Sequence, residues 1–242
     1  MKEPLLVSVS PHVRHPDNIQ RIMWTVALAL TPAAIAGIYF FGLQALWVVA
    51  LSIVSAQMTE ILCLKARGEP WQDAFDGSAF VTGLLLAMII PANVPWYCPV
   101  VGSAFAIAIA KQCFGGLGYN IWNPALAGRI FLQFAYPTAI SLSAWPTPRS
   151  VGLAAHATVA ETQASPLFKG AAEEAVTGWD KYLDLFLGLG VSGSLGETSK
   201  LMLLIGGVFL IACRYIDWRV PVFYIGTVFL LTAILPAGTE GA

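Results

Sequence analysis

Two long apolar runs follow a polar lead-in, at residues 22–41 and 43–64, separated by Gly42 and with Gln57 and Glu60 inside the second. A helix rises about 1.5 Å per residue and bilayer hydrocarbon is about 30 Å thick, so each run is long enough to cross. Three apolar segments follow at 78–90, 96–110 and 121–140, and two more at 199–213 and 220–235, giving seven expected spans. The segments at 78–90 and 96–110 are short. Their bounds are turn-rich: Asp76-Gly77, the stretch from Pro91 to Pro95, and the glycines Gly115 to Gly118. Such segments suit tilted, broken or packed helices inside a bundle. Residues 183–191 are too few to span and read as a half-helix or an interfacial piece.

Composition agrees with this pattern. Apolar residues are 57% and charged residues 11% of the chain, against about 25% charged in soluble domains. The net charge of -1 offers no basic field to a nucleic-acid backbone. Cys63, Cys98, Cys113 and Cys213 lack Cys-x-x-Cys spacing and are expected to fill space in an apolar interior. Signatures of soluble enzymes (HExxH, GxSxG, Walker) do not occur, and His12, His15 and His156 make no metal motif.

Charge also orients the chain. Lys2, Arg14, Arg21, Lys65, Arg67, Lys111, Arg214 and Arg219 all fall on one side if the spans alternate, and that side is cytoplasmic by the positive-inside rule. The lead-in, residues 1–21, has no apolar core and no sign of a cleavable signal. Residues 22–140 then form a first membrane unit of five spans, residues 141–182 an external loop, and residues 183–242 a second unit of two spans plus the short piece. The loop is acidic overall, with Glu161, Glu173, Glu174 and Asp180 against Arg149, Lys169 and Lys181. A connection of that length is either a binding loop or a disordered insertion.

Local chemistry gathers at helix entrances. Asp76 or Ser78 suits the cap of the third span, and Thr82-Gly83 offers a small surface for close packing or a planar ligand. Gly115, Gly116, Asn120 and Asn123 lie just before Pro124, which belongs in a first helical turn, so a helix should start near Asn123. Arg129 follows inside or near the membrane and needs a carboxylate, a helix C-terminus or an anionic group. Gly193, Gly196, Glu197 and Thr198 form a second glycine-containing entrance, where Glu197 either caps a helix or joins an ion path. Gly77-Ser78 and Gly193-Ser194 each precede an apolar run, a faint internal symmetry of the kind seen in repeated transport folds.

The stretches GGLGYNIWNPALAGR (residues 115–129) and GSLGETS (residues 193–199) closely resemble the D subunit of the Rnf electron-transport complex, a family related to the B subunit of the sodium-pumping NADH:quinone oxidoreductase. DGSAFVTGLLLAMIIP (residues 76–91) and SPHVRHPDN (residues 10–18) are similar to it as well, and the likeness covers most of the chain. The resemblance implies an all-α polytopic membrane helix bundle of two repeats. It further implies a membrane flavoprotein within a multisubunit complex that passes electrons between ferredoxin and NAD and moves sodium or protons. The partners it implies are other membrane, flavin-bearing and iron–sulfur subunits.

Family members carry FMN through phosphate on a threonine in an external Ser-Gly-Ala-Thr sequence followed by Pro-Leu, and hold a second flavin such as riboflavin. The matching stretch here is Thr162-Gln163-Ala164-Ser165-Pro166-Leu167, so the resemblance places the tether on Ser165, with Thr162 beside it and Thr158 as the alternative. A serine hydroxyl can form the same phosphoester. Gly115, Gly116, Asn120, Asn123 and Arg129, with Gly193, Gly196, Glu197 and Thr198, are the residues expected to shape an internal flavin or ion site. Family chains continue past the seventh span, so an incomplete chain, or a shortened second repeat, is expected here. A solute or ion channel and a mainly structural subunit are the competing functions.

Overall fold

The computed structural model describes residues 17–140, 145–146, 162–163, 183, 186–188, 193–197 and 199–234. Helix α1 runs Ile19–Phe41 and stops at Gly42, whose φ of 74° no β-carbon favours and whose N–H bonds Ile38 O at 2.8 Å. Helix α2, Leu43–Arg67, carries Lys65 and Arg67 in its last turn, where the helix dipole favours cations. A 3-10 turn, Trp71–Asp76, leads to α3, Ser78–Ile89. After Pro91 to Pro95 comes α4, Tyr97–Phe105, which continues as a π-helix over Ala106–Lys111 and a 3-10 turn over Gln112–Phe114. Then follow α5, Pro124–Ala135, and the single turn α6, Pro137–Ile140. Two-residue strands β1, Trp145–Pro146, and β2, Thr162–Gln163, pair antiparallel, with Pro146 opposite Thr162. Helices α7, Lys200–Ala212, and α8, Arg219–Ile234, complete the described elements.

The structure is thus an all-helical membrane bundle with one minimal strand pair among the described residues. Three helical segments are long and apolar enough to cross a membrane: α1, α2 and the composite Tyr97–Phe114. Helices α3, α7 and α8 are shorter apolar helices. The fourth is longer than the apolar pattern implied, because the helix winds on through Lys111 by widening to π geometry. The 121–140 expectation breaks in two. No helix forms before Pro124, and Tyr136, out of helical geometry at φ -135° and ψ 60° ahead of Pro137, ends α5.

Lipid tails are as apolar as a protein interior, so close approach and internal polar bonds, more than burial, hold such a bundle together. A β-carbon on Gly83 of α3 would lie 2.8 Å from Ile53 Cα and Ser52 O of α2, and one on Gly128 of α5 would lie 2.7 Å from Gly102 O of α4. Gly206 of α7 sits in the same way on the Ala29 carbonyl of α1. Leu84, Leu86, Met88, Ile90, Cys98 and Leu132 fill the centre. Cys98 is the one cysteine that is fully buried. Cys63 is half-buried, while Cys113, in the turn after the π-helix, and Cys213, at the end of α7, are exposed, which corrects the expectation for those two.

Candidate functional site

The α3 entrance is built as a polar knot. Asp76 Oδ1 accepts from the Ser78 N–H at 2.7 Å and from Ser78 Oγ at 2.6 Å, so Asp76 supplies the cap expected at this helix start. Ser78 Oγ in turn accepts from Lys111 Nζ at 2.7 Å, and Lys111 Nζ donates to Glu60 Oε1, also at 2.7 Å. Lys111 and Glu60 are an ion pair whose side chains are 2% and 4% exposed. The π-helix places Lys111: its widened turn ends on that residue and lets the side chain reach α2 and α3 together. Thr82 Oγ1 donates to Ser78 O at 2.8 Å and fixes the turn from above.

Sequence reasoning counted Lys111 as a loop charge and Glu60 as a polar interruption of an apolar run. The available signal was the principle that an ionisable residue within a span needs a named partner. Two such residues, Glu60 and Lys111, were each other's answer, separated by 51 positions.

Beside this pair the chain turns three times through left-handed glycines, Gly115, Gly116 and Gly118, with φ of 110°, 93° and 90°. Asn120 Nδ2 donates to Trp122 O at 2.9 Å, and Asn123 Oδ1 accepts from the Ala125 N–H at 3.0 Å, which caps α5 where the sequence places its start. Phe114 and Trp122 meet edge to face at 6.0 Å. Arg67 donates from Nη1 to Gln112 O at 3.5 Å and pairs with Glu69 at 2.8 Å. Gln112 is 7% exposed, and its Oε1 is buried without a hydrogen-bond partner. Arg129 is half-buried on α5.

The second glycine entrance lies at the opposite end of α3. Gly196 N–H bonds Met88 O at 2.8 Å, and a β-carbon there would stand 2.9 Å from Met88 Cβ. Leu195 is buried against Gly37 of α1. Ser194 Oγ donates to Glu197 Oε2 at 3.3 Å, and Glu197 reaches solvent beside Gly193. The structure therefore brings Gly115, Gly116, Asn120 and Asn123 together at one end, and Gly193, Gly196 and Glu197 at the other. Ser78 and Met88, where the two ends meet α3, are ten residues apart, about 15 Å at 1.5 Å per residue. Thr162 is described through its backbone in β2, while Ser165, Thr158 and Thr198 lie outside the described residues.

A multi-pass helical bundle with a buried ion pair among its helices and a glycine- and amide-rich rim beside it defines an integral membrane protein of the transport or redox kind. The profile of the NQR2, RnfD, RnfE family matches residues 6–240, and the chain belongs to that family. It is 43% identical over 99% of its length to the D subunit of the proton-translocating ferredoxin:NAD(+) oxidoreductase complex of Clostridium ljungdahlii, covering 72% of that protein. It is 45% identical over 96% of its length to the D subunit of the Na(+)-translocating ferredoxin:NAD(+) oxidoreductase complex of Acetobacterium woodii, covering 70%. To the D subunit of the ion-translocating oxidoreductase complex of Stutzerimonas stutzeri it is 36% identical, over 90% of this chain and 67% of the other.

Proposed function

We propose that this chain is the flavin-bearing D subunit of an Rnf-type ferredoxin:NAD oxidoreductase in an inner membrane, where it passes electrons within the complex while sodium or protons are moved. Its partners on this reading are the other membrane, flavin-bearing and iron–sulfur subunits. The rim at the α4–α5 turn is the observation that supports a cofactor in this chain. Three glycines without side chains open the backbone to a flat ligand, and Phe114 and Trp122 offer ring surface. Gln112 Oε1 is buried and unpartnered, and would accept from a ring N–H of such a ligand. These residues fit a noncovalent flavin such as riboflavin.

Asn120 and Asn123 shape the wall of that rim, with Arg67 reaching to its edge. A flavin supplies one- and two-electron redox chemistry, and the protein's part is to hold it and tune it through nearby donors and charge. The tether for FMN is assigned to Ser165, on the far side of the membrane from Lys65, Arg67 and Lys111. With the N-terminus cytoplasmic, the 141–182 loop is external, and the β1–β2 pair anchors the chain at Thr162 just ahead of the tether. Two repeats, with the α7 and α8 unit as part of the second, complete the reading.

The test is a mass measurement on the complete complex, matured with its attachment enzyme. Peptides covering residues 158–167 are expected to carry FMN on Ser165, and Ser165→Ala to lose that mass and slow electron flux with assembly intact. Full flux and unmodified peptides would overturn the tether. FMN on Thr158 or Thr162 would move it.

A further inference from the structure

We propose that the Arg67–Glu69 pair sets the ligand specificity of the rim, closing it to a flavin phosphate and reserving it for an uncharged flavin. The inference rests on the reading of the rim as a noncovalent flavin site and names what that site selects. Riboflavin and FMN share the ring and the ribityl chain. They differ by a phosphate, which carries about −1.5 to −2 charges near neutral pH. Selection between them therefore depends on what this end of the bundle offers an anion.

Among the described residues, the groups suited to hold a phosphate are already engaged. Gly115 N–H bonds Gln112 O at 3.1 Å and Gly116 N–H bonds Lys111 O at 3.1 Å. These glycines give open space, then, but not the row of free N–H groups that cradles a phosphate. At the start of α5, Pro124 brings no N–H, while Ala125 N–H is held by Asn123 Oδ1 at 3.0 Å and Ala127 N–H by Asn123 O at 3.0 Å. The Lys111 ammonium is buried and donates to Glu60 and Ser78. Arg129 stands six residues beyond Asn123, about 9 Å along α5 at 1.5 Å per residue.

Arg67 borders the opening itself. A β-carbon on Gly116 would have, beyond its chain neighbours, Gln112 Oε1 at 3.7 Å and Arg67 Nη2 at 3.8 Å. The space over Gly116 thus lies between an acceptor without a partner and a cation. The nitrogen nearest that space, Nη2, is the one bonded to Glu69 Oε2 at 2.8 Å. The backbone puts Glu69 there. Helix α2 closes on left-handed Gly68, with Gly68 N–H on Lys65 O at 3.1 Å and Glu69 N–H on Leu64 O at 3.0 Å, a paired closure that fixes Glu69 just past Arg67. Both side chains reach solvent, so the pair adds little to the stability of the fold. Its effect on a ligand is larger: the guanidinium is already neutralised, and the Glu69 carboxylate repels a second anion. An uncharged ligand meets neither obstacle and keeps Gln112 Oε1 as its acceptor.

The test is a competition on the complete complex. It is equilibrated with equal concentrations of riboflavin and FMN, freed of unbound flavin and extracted under denaturing conditions; the flavin released from the Gln112→Leu complex is subtracted to leave the share of the rim. The native chain is expected to release riboflavin in excess. Glu69→Gln, which removes the charge and keeps the shape, is expected to raise FMN relative to riboflavin about tenfold, the size of one hydrogen bond to a charged group. That gain should shrink as salt is raised, because the contact is exposed. Adding Arg67→Gln to Glu69→Gln is expected to restore the native preference. A ratio that Glu69→Gln leaves unchanged overturns the selection while the flavin site stands, and so does FMN as the main flavin of the native rim. If native and Gln112→Leu complexes release the same flavin, the rim holds none and both readings fall.

Discussion

The two ends of α3 are built by different physics. At its start, Asp76, Ser78, Lys111 and Glu60 are joined by directional, charge-assisted bonds, and left-handed glycines open a rim beside them. At its finish, Met88 meets Gly196, and Leu195 fills the space that Gly37 leaves, through contact distance and a single backbone bond. Small residues and close approach suffice to join helices. A buried charge among them is costly, and its presence, among the described residues, at one end and not the other marks where chemistry is to be expected.

The contrast sets the size of each response. Lys111→Met leaves Glu60 buried and unpaired and should cost about 3–5 kcal/mol, whereas Lys111→Met combined with Glu60→Leu should recover most of that loss. Denaturation midpoints of the purified complex check both. If the double variant is as unstable as the single, the pair is a packing element and the contrast fails. Ser78→Ala removes a hydrogen bond to a charged group and should cost about 1.5–3 kcal/mol, without loss of flavin. At the other end, Gly196→Ala drives a β-carbon to 2.9 Å from Met88 Cβ. Its expected cost is about 1–3 kcal/mol, with released flavin unchanged in the folded fraction. Asn123→Ala, which removes the α5 cap, should cost about 1 kcal/mol, the smallest effect, read from the same midpoints.

Much of this was legible in the chain. The first two spans, the Gly42 break, the Asp76 cap and the Asn123 start of α5 follow from run length, glycine conformation and capping chemistry. Those are local rules, and they hold locally. Family membership was legible in the glycine-containing stretches at 115–129 and 193–199. The Glu60–Lys111 pair was not, because a contact across 51 residues depends on how α2 and α4 lie together and on a π-turn that apolar periodicity does not encode. The break at Tyr136 was missed for the opposite reason: Pro137 announces it, but a continuous apolar run concealed the boundary. The two glycine entrances looked alike in sequence, and only the antiparallel course of the helices puts them at opposite ends.

The flavin reading rests on the rim next to Lys111, and one measurement addresses it most directly. Flavin released by denaturing extraction should be counted in the complete complex with the native chain and with Gln112→Leu, alongside the flavin that stays bound to this subunit. Loss of one released flavin per complex, with the retained flavin unchanged, is the predicted result. Equal released flavin in the two, with electron transfer from ferredoxin to NAD at full rate, contradicts the account.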